Sequence, residues 1–292
     1  MGSKTLTDRI GKGSNALGAV NSINWARILA QMVYHVWAFL QLPVAVQDAA
    51  VQGKRRVRVV VPTGNFGNIL AAFYARSAGL AISELVAATN ANDVVHRALE
   101  TGIYEPHPVK ATYSPAMDIT LSSNFERLVF EAARACAQGD VGMAQTRVNA
   151  YWQELGKTGR FVLDPHHAAW IRDTCGFRSN EASDEETVNV MQRLWQEQKY
   201  LVDPHTAVGI AVLDKMEQGD NDVTVYCSTA HPAKFDAAVR AALGDDEARR
   251  IPWPESIRAL QHLPQKLDLI ERHAQESWTS LVREKMDREQ CE

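Results

Sequence analysis

Residues 56–80 read RVRVVVPTGNFGNILAAFYARSAGL, and the reading of this stretch decides the fold. The β-branched run at 57–61 is long enough for a strand buried on both faces, as in a parallel sheet. It stops at Pro62 and a glycine-bearing turn, after which a helical pattern begins. Strand, tight loop and helix therefore follow one another. Gly64 and Gly67 lack Cβ atoms, so the loop can take unusual dihedrals and a ligand can approach its backbone. The amides that open the next helix favour an anion, and a phosphate suits them. An ordinary turn capped by asparagine accounts for the same letters, so the loop alone leaves both readings open.

The surrounding text builds outward from that unit. Residues 82–88, ISELVAA, read as a second strand, and 89–93 as a turn into a helix around 94–100. This alternation predicts an α/β fold, a mostly parallel twisted sheet with helices on both faces. Before it, NSINWARILAQMVYHVWAFLQL at 21–42 predicts an apolar helix ending by Pro43, with Ile28, Met32, Trp37 and Phe39 packed inside. Asn21, Ser22 and Asn24 at its entrance can cap it, with Arg27 a turn further on. The same groups could also share an oxyanion.

Further along, 109–118 reads as irregular, and Ser123 with Glu126 has capping-box spacing for a helix towards Cys136. Residues 143–155 suggest another helix. FVLDPHHAAWI at 161–171 and YLVDPHTAVGI at 200–210 share a helix opening in which Asp164 or Asp203 caps and a proline occupies the first turn. Ser183 and Glu186 form a second capping box. Residues 223–227, VTVYC, give the last clear strand, running into Ser228 and Thr229, where a helix opens and either hydroxyl can cap it. Ligands of open parallel sheets collect at the carboxyl ends of strands, so Thr229 and the 65–68 loop could face one crevice.

Composition narrows the function classes. The 292 residues carry 31 basic and 35 acidic side chains, a net charge of -4, with no dense Lys/Arg block to track a nucleic acid or an anionic membrane. No apolar run has the ~20 residues of a membrane span, and the N-terminus lacks a secretory apolar segment, so a cytoplasmic protein is expected. The four cysteines form no CxxC pair, and His166, His167 and His205 have no ligand partners at helical spacing, so no metal is expected. The expected organisation is a flexible leader at 1–20, an α/β domain at 21–250 and a tail at 251–292 with a polar helix from about 266 to 287.

Seven segments taken together, NSINWARILAQ, VPTGNFGNILAAFYARSAGL, AATNANDVVHR, AMDITLSSNFERLVFE, SDEETVNVMQRLW, YLVDPHTAVG and CSTAHPAKFDAAV, resemble threonine synthases of the longer type, in order along most of the chain. The resemblance implies the tryptophan-synthase-β-like fold of pyridoxal-phosphate enzymes and the conversion of O-phosphohomoserine and water to threonine and phosphate. It implies that Gly64, Asn65, Phe66, Gly67 and Asn68 hold the phosphate of pyridoxal 5'-phosphate, and that the Thr229 hydroxyl sits beside the pyridine nitrogen. A neutral hydroxyl there moderates the electron sink. Asn21, Ser22 and Arg27 match a segment expected to bind the substrate phosphate.

One departure from the family pattern matters. The Schiff-base lysine of the family lies upstream of the Asn-Ser-Ile-Asn segment in a Ser/Phe-Lys-Asp context. Only twenty residues precede Asn21 here, Lys4 and Lys12 lack those neighbours, and Lys234 matches a family lysine with another role. The chain is therefore expected to be a carboxyl-terminal portion without its Schiff-base lysine, completed by an N-terminal domain or forming a homo-oligomer. The alternative is a non-catalytic module that keeps the crevice as a ligand sensor or interaction surface.

Overall fold

The computed structural model describes residues 21–260 except 218 and 220, together with 263 and 264. Ser22–Pro252 forms one compact unit. In the other, which comprises Met1–Asn21 and Trp253–Glu292, the described residues include a short helix, Glu255–Leu260. The expected leader and the polar helix at 266–287 lie outside the described residues.

The compact unit is built on a four-stranded parallel sheet in the order β5 (Phe177–Glu181), β2 (Glu84–Thr89), β1 (Val57–Pro62) and β6 (Val223–Tyr226). A two-stranded antiparallel ribbon, β3 (Ile103–Tyr104) with β4 (Phe161–Val162), stands apart from it. The central strand is β1, and Val57, Val59, Val60 and Val61 are all buried. Side chains alternate along a strand, so one face collects Val59, Val61, Leu85, Ala87 and Phe177 against Ile69, Leu70 and Phe73 of the Gly67–Ser77 helix. Val60 points the other way, to the Pro204–Asp214 helix, where a Cβ on Gly209 would lie 3.4 Å from Val60 Cγ1. Helices thus cover both faces.

Several boundaries differ from the sequence expectation. The second strand begins at Glu84, because Ile82 and Ser83 complete the approach to the sheet, the Ser83 amide donating to Val57 O at 2.8 Å. In the Trp25–Leu40 helix, Ile28 and Phe39 are buried and Met32 partly so, but Trp37 is 65% exposed and His35 takes the inward position. This helix is apolar on most sides, and periodicity alone does not choose which stripe faces the core. No single described helix is long and apolar enough to cross a membrane. The Trp25–Leu40 and Val44–Val51 pair reaches that hydropathy together, but is bent by 111°.

Candidate functional site

The carboxyl end of β1 runs into a loop held by side chains from the segment that opens the Phe125–Cys136 helix. Gly64 O accepts Ser122 Oγ at 2.8 Å, and Asn65 O accepts both the Asn124 amide at 3.2 Å and its Nδ2 at 2.8 Å. Ser123 Oγ donates to Asn65 Oδ1 at 3.2 Å. The expected capping box is therefore absent: Asn124, without a side-chain cap bond, stands at the helix start, and Ser123 is turned to the loop. These three residues escaped the sequence reading because Ser-x-x-Glu spacing has a local explanation that a contact 58 residues away overrides.

Phe66 caps the next helix in the left-handed region, with φ 63° and no side-chain cap bond. Such a conformation costs about 1–2 kcal/mol for a residue with a Cβ. Burying the phenyl ring contributes about 1.5–3 kcal/mol, and its contacts with Phe125 and Phe177, at 5.4 and 5.8 Å between centroids, add to this. Packing therefore holds the turn open. Among the described residues, none of the backbone amides of 64–69 donates to a protein group. A left-handed turn followed by a helix start, with its amides unpaired, is an anion cradle in the physical sense.

The second arm is the end of β6. Val60 pairs with Tyr226 and the Cys227 amide donates to Val60 O at 3.0 Å, so β6 leaves the sheet directly beside β1. Ser228 and Thr229 follow, both exposed. Neither opens a helix. His231 Nδ1 accepts the Ala233 amide at 3.2 Å to cap a short turn at Pro232–Lys234, and the helix proper is Asp236–Leu243. A proline directly after a residue able to cap fixed that start further on.

One buried group links the two arms. Asp203 is 1% exposed and accepts the His205 amide and Nδ1 at 2.9 and 3.0 Å, as well as the Thr206 hydroxyl. Burial works to raise its pKa, but the bonds from His205 and Thr206 outweigh this and hold it below the usual carboxylate range. With its Nδ1 proton on Asp203, His205 accepts the Ala116 amide at Nε2, 3.1 Å away. Ala116 O in turn lies 3.1 Å from where a Cβ on Gly64 would stand, so this glycine is required by close backbone approach. On its other side, Thr206 Oγ1 reaches Ser228 Oγ at 3.4 Å. Asp203 was legible as a cap, but not as the tie between the β1 loop and the end of β6.

The remaining expected residues divide. Ser22 is drawn to the loop: its hydroxyl meets Ser123 Oγ at 3.3 Å and its carbonyl accepts Asn124 Nδ2 at 3.0 Å. Asn24 caps the helix by accepting the Ala26 amide at 2.9 Å. Arg27 is exposed in the first turn, and Asn21 belongs to the other unit. The guanidinium that holds this entrance is Arg127, which donates to Ile23 O at 2.6 Å and Asn124 Oδ1 at 2.8 Å and lies 5.8 Å over the Trp25 ring. Lys234 is exposed. Among the described residues no group of three or more His, Cys, Asp or Glu side chains could hold a metal ion.

Comparison with known proteins fits this geometry. Residues 206–282 match the family model for the C-terminal region of threonine synthase. Threonine synthase of Saccharomyces cerevisiae is 43% identical over 270 residues, covering 88% of this chain and 51% of that protein. Among solved structures, threonine synthase from yeast superposes with a TM-score of 0.83 at 38% identity, covering 98% of this chain and 57% of the other. The pyridoxal-phosphate-bound threonine synthase from Brucella melitensis superposes with a TM-score of 0.76 at 34% identity, covering 97% and 55%.

The parallel sheet, its flanking helices and the paired strand ends define the tryptophan-synthase-β-like class of α/β folds. Within it, this chain belongs to the threonine synthase family. It spans about half the length of the relatives it matches.

Proposed function

We propose that this chain forms the cofactor-binding half of a threonine synthase, which converts O-phosphohomoserine and water to L-threonine and phosphate. The observation that carries the reading is the run of unpaired amides at 64–69 beside the exposed Thr229, on neighbouring strand ends. Residues 64–68 fit a phosphate monoester, since neutral donors at a helix start favour a dianion without a built-in counter-ion. Pyridoxal phosphate, when bound, supplies the electron sink for carbanion chemistry at the substrate. The role of this chain is to grip its phosphate, to offer a neutral hydroxyl from Thr229 to the ring nitrogen, and to seat the substrate phosphate by Ser22 and Arg27.

No lysine of this chain is assigned the role of Schiff-base nucleophile in this reading; it comes from a polypeptide equivalent to the rest of the relatives' length, in cis or in trans. An apolar face supports such a partner: Leu29, Val33, Trp37, Leu40 and Val44 are each more than half exposed along the Trp25–Leu40 helix and the turn after it. Contiguous apolar patches of this kind mark interaction surfaces. The expected setting is the cytoplasm, in keeping with free Cys136, Cys175 and Cys227.

Mixing the purified chain with the amino-terminal half of yeast threonine synthase, and assaying O-phosphohomoserine for coupled release of threonine and phosphate, tests the proposal. Activity requiring both pieces is expected. Silence from two folded pieces that form a complex contradicts it and favours a module that binds ligand without turnover.

A further inference from the structure

His35 is a buried histidine that the proposed chemistry does not use. It is 3% exposed, in the middle of the Trp25–Leu40 helix, and its Nε2 reaches Asn68 twice, 2.9 Å from Oδ1 and 3.2 Å from the backbone carbonyl. A backbone carbonyl only accepts, so Nε2 must carry the proton. The side-chain atom of Asn68 facing that proton is then the oxygen, and the amide nitrogen points away. Among the described residues, Asn68 Nδ2 has no hydrogen-bond partner, and Arg58 Nη1 is the one side-chain nitrogen or oxygen both buried and unpaired, so Asn68 Nδ2 is not enclosed. It is thus open to a ligand, on the second residue of a helix whose first amides are also unpaired.

We propose that His35 is a positioning residue of the phosphate cradle: as the Nε2–H tautomer it fixes the Asn68 carboxamide so that its NH2 group joins the amides of 64–69 as a donor to a phosphate monoester. This rests on the reading of that loop as a phosphate site. A freely rotating asparagine would present oxygen to the ligand about as readily as nitrogen, and an oxygen repels a phosphate. His35 removes that choice. Burial lowers its pKa and so keeps the ring neutral, with one donor and a fixed sense. The histidine therefore acts on a bound anion through Asn68 without touching it.

Two measurements on the full chain test this. Long-range 1H–15N NMR of the imidazole should show His35 as the Nε2–H tautomer; an Nδ1–H tautomer or a charged ring overturns the proposal whether or not a ligand binds. Titration with pyridoxal phosphate and with pyridoxal, followed by tryptophan fluorescence, supplies the second. His35→Phe should weaken pyridoxal phosphate about tenfold, the size of one lost charge-assisted hydrogen bond, and leave pyridoxal unchanged. His35→Gln, which can still donate to Asn68, should recover most of the loss. Wild-type affinity in a folded His35→Phe protein overturns the inference alone. A wild-type protein that does not prefer pyridoxal phosphate to pyridoxal overturns the phosphate-site reading with it.

Discussion

The two ends of the parallel sheet are built from different chemistry. At the amino end, Arg58 is 3% exposed and pairs with Glu84 at 2.5 Å, while Asp222 lies 3.6 Å from Arg58 and 2.6 Å from Arg56. At the carboxyl end, the groups that bond the loop itself are hydroxyls and carboxamides, with the Arg127 guanidinium one step behind them on Asn124, and the buried Asp203 carboxylate is enclosed by His205 and Thr206. Fixed charge is thus spent on architecture where no ligand is proposed, and neutral donors are left unpaired where one is. An anion at the carboxyl end would meet backbone dipoles already oriented by the fold.

The largest expected effect breaks the amino end alone. Arg58→Met leaves the Glu84 carboxylate, largely buried, without its partner, and should cost about 3–5 kcal/mol in urea unfolding. Adding Glu84→Leu should recover most of that loss, and neither change should alter pyridoxal phosphate affinity in protein that remains folded. A parallel loss of affinity would show that the two ends are not independent.

Gly64→Ala probes the carboxyl end. The new Cβ would stand 3.1 Å from both Ala116 O and Met117 Cα, which are backbone atoms and cannot swing aside. A cost of about 1–3 kcal/mol is expected, together with a fall of tenfold or more in pyridoxal phosphate affinity. Unchanged affinity would mean that the loop's close approach to residues 116–117 does not shape the site.

Acid probes two buried histidines, His35 beside the loop and His167 against Tyr151. Burial lowers the pKa of both His35 and His167. Above the ordinary histidine value of about 6.5 both folded and unfolded states are neutral, and stability does not depend on either ring. Below it the unfolded chain takes up protons that the folded chain refuses, so stability falls as pH drops towards the folded pKa, by up to about 1.4 kcal/mol per pH unit for each ring. Unfolding midpoints at pH 7.5 and 5.5 should differ in this sense, and less so in His35→Phe. Equal midpoints would contradict the burial of neutral rings.

Thr229→Ala is the smallest change to the fold. Thr229 is exposed and caps no helix, so stability should move by less than about 0.5 kcal/mol while pyridoxal phosphate binding weakens.

The sequence made the sheet legible because β1 is a β-branched run, interrupted by Arg58 alone and buried from Val57 to Val61, and a run of that kind has few other homes. It made the loop legible through glycines whose spacing matters locally. It did not disclose Ser122, Ser123, Asn124 and Arg127 as supports, since Ser123 reads locally as a cap and the others carry no pattern of their own, nor the tie from Asp203 through His205 to Ala116, 89 residues away. Trp37, expected inside, is exposed and His35 is buried, because a mostly apolar helix carries two acceptable stripes. Local rules found the elements; contacts distant in sequence decided what each polar side chain does.

The most direct measurement is a titration of the 15N-labelled chain with pyridoxal phosphate, reading backbone amide shifts residue by residue. The account predicts that the amides of 64–69 and Thr229 move together along one saturating curve, because one molecule bridges two neighbouring strand ends. Movement of the loop without Thr229, or of neither while binding occurs elsewhere, would contradict it.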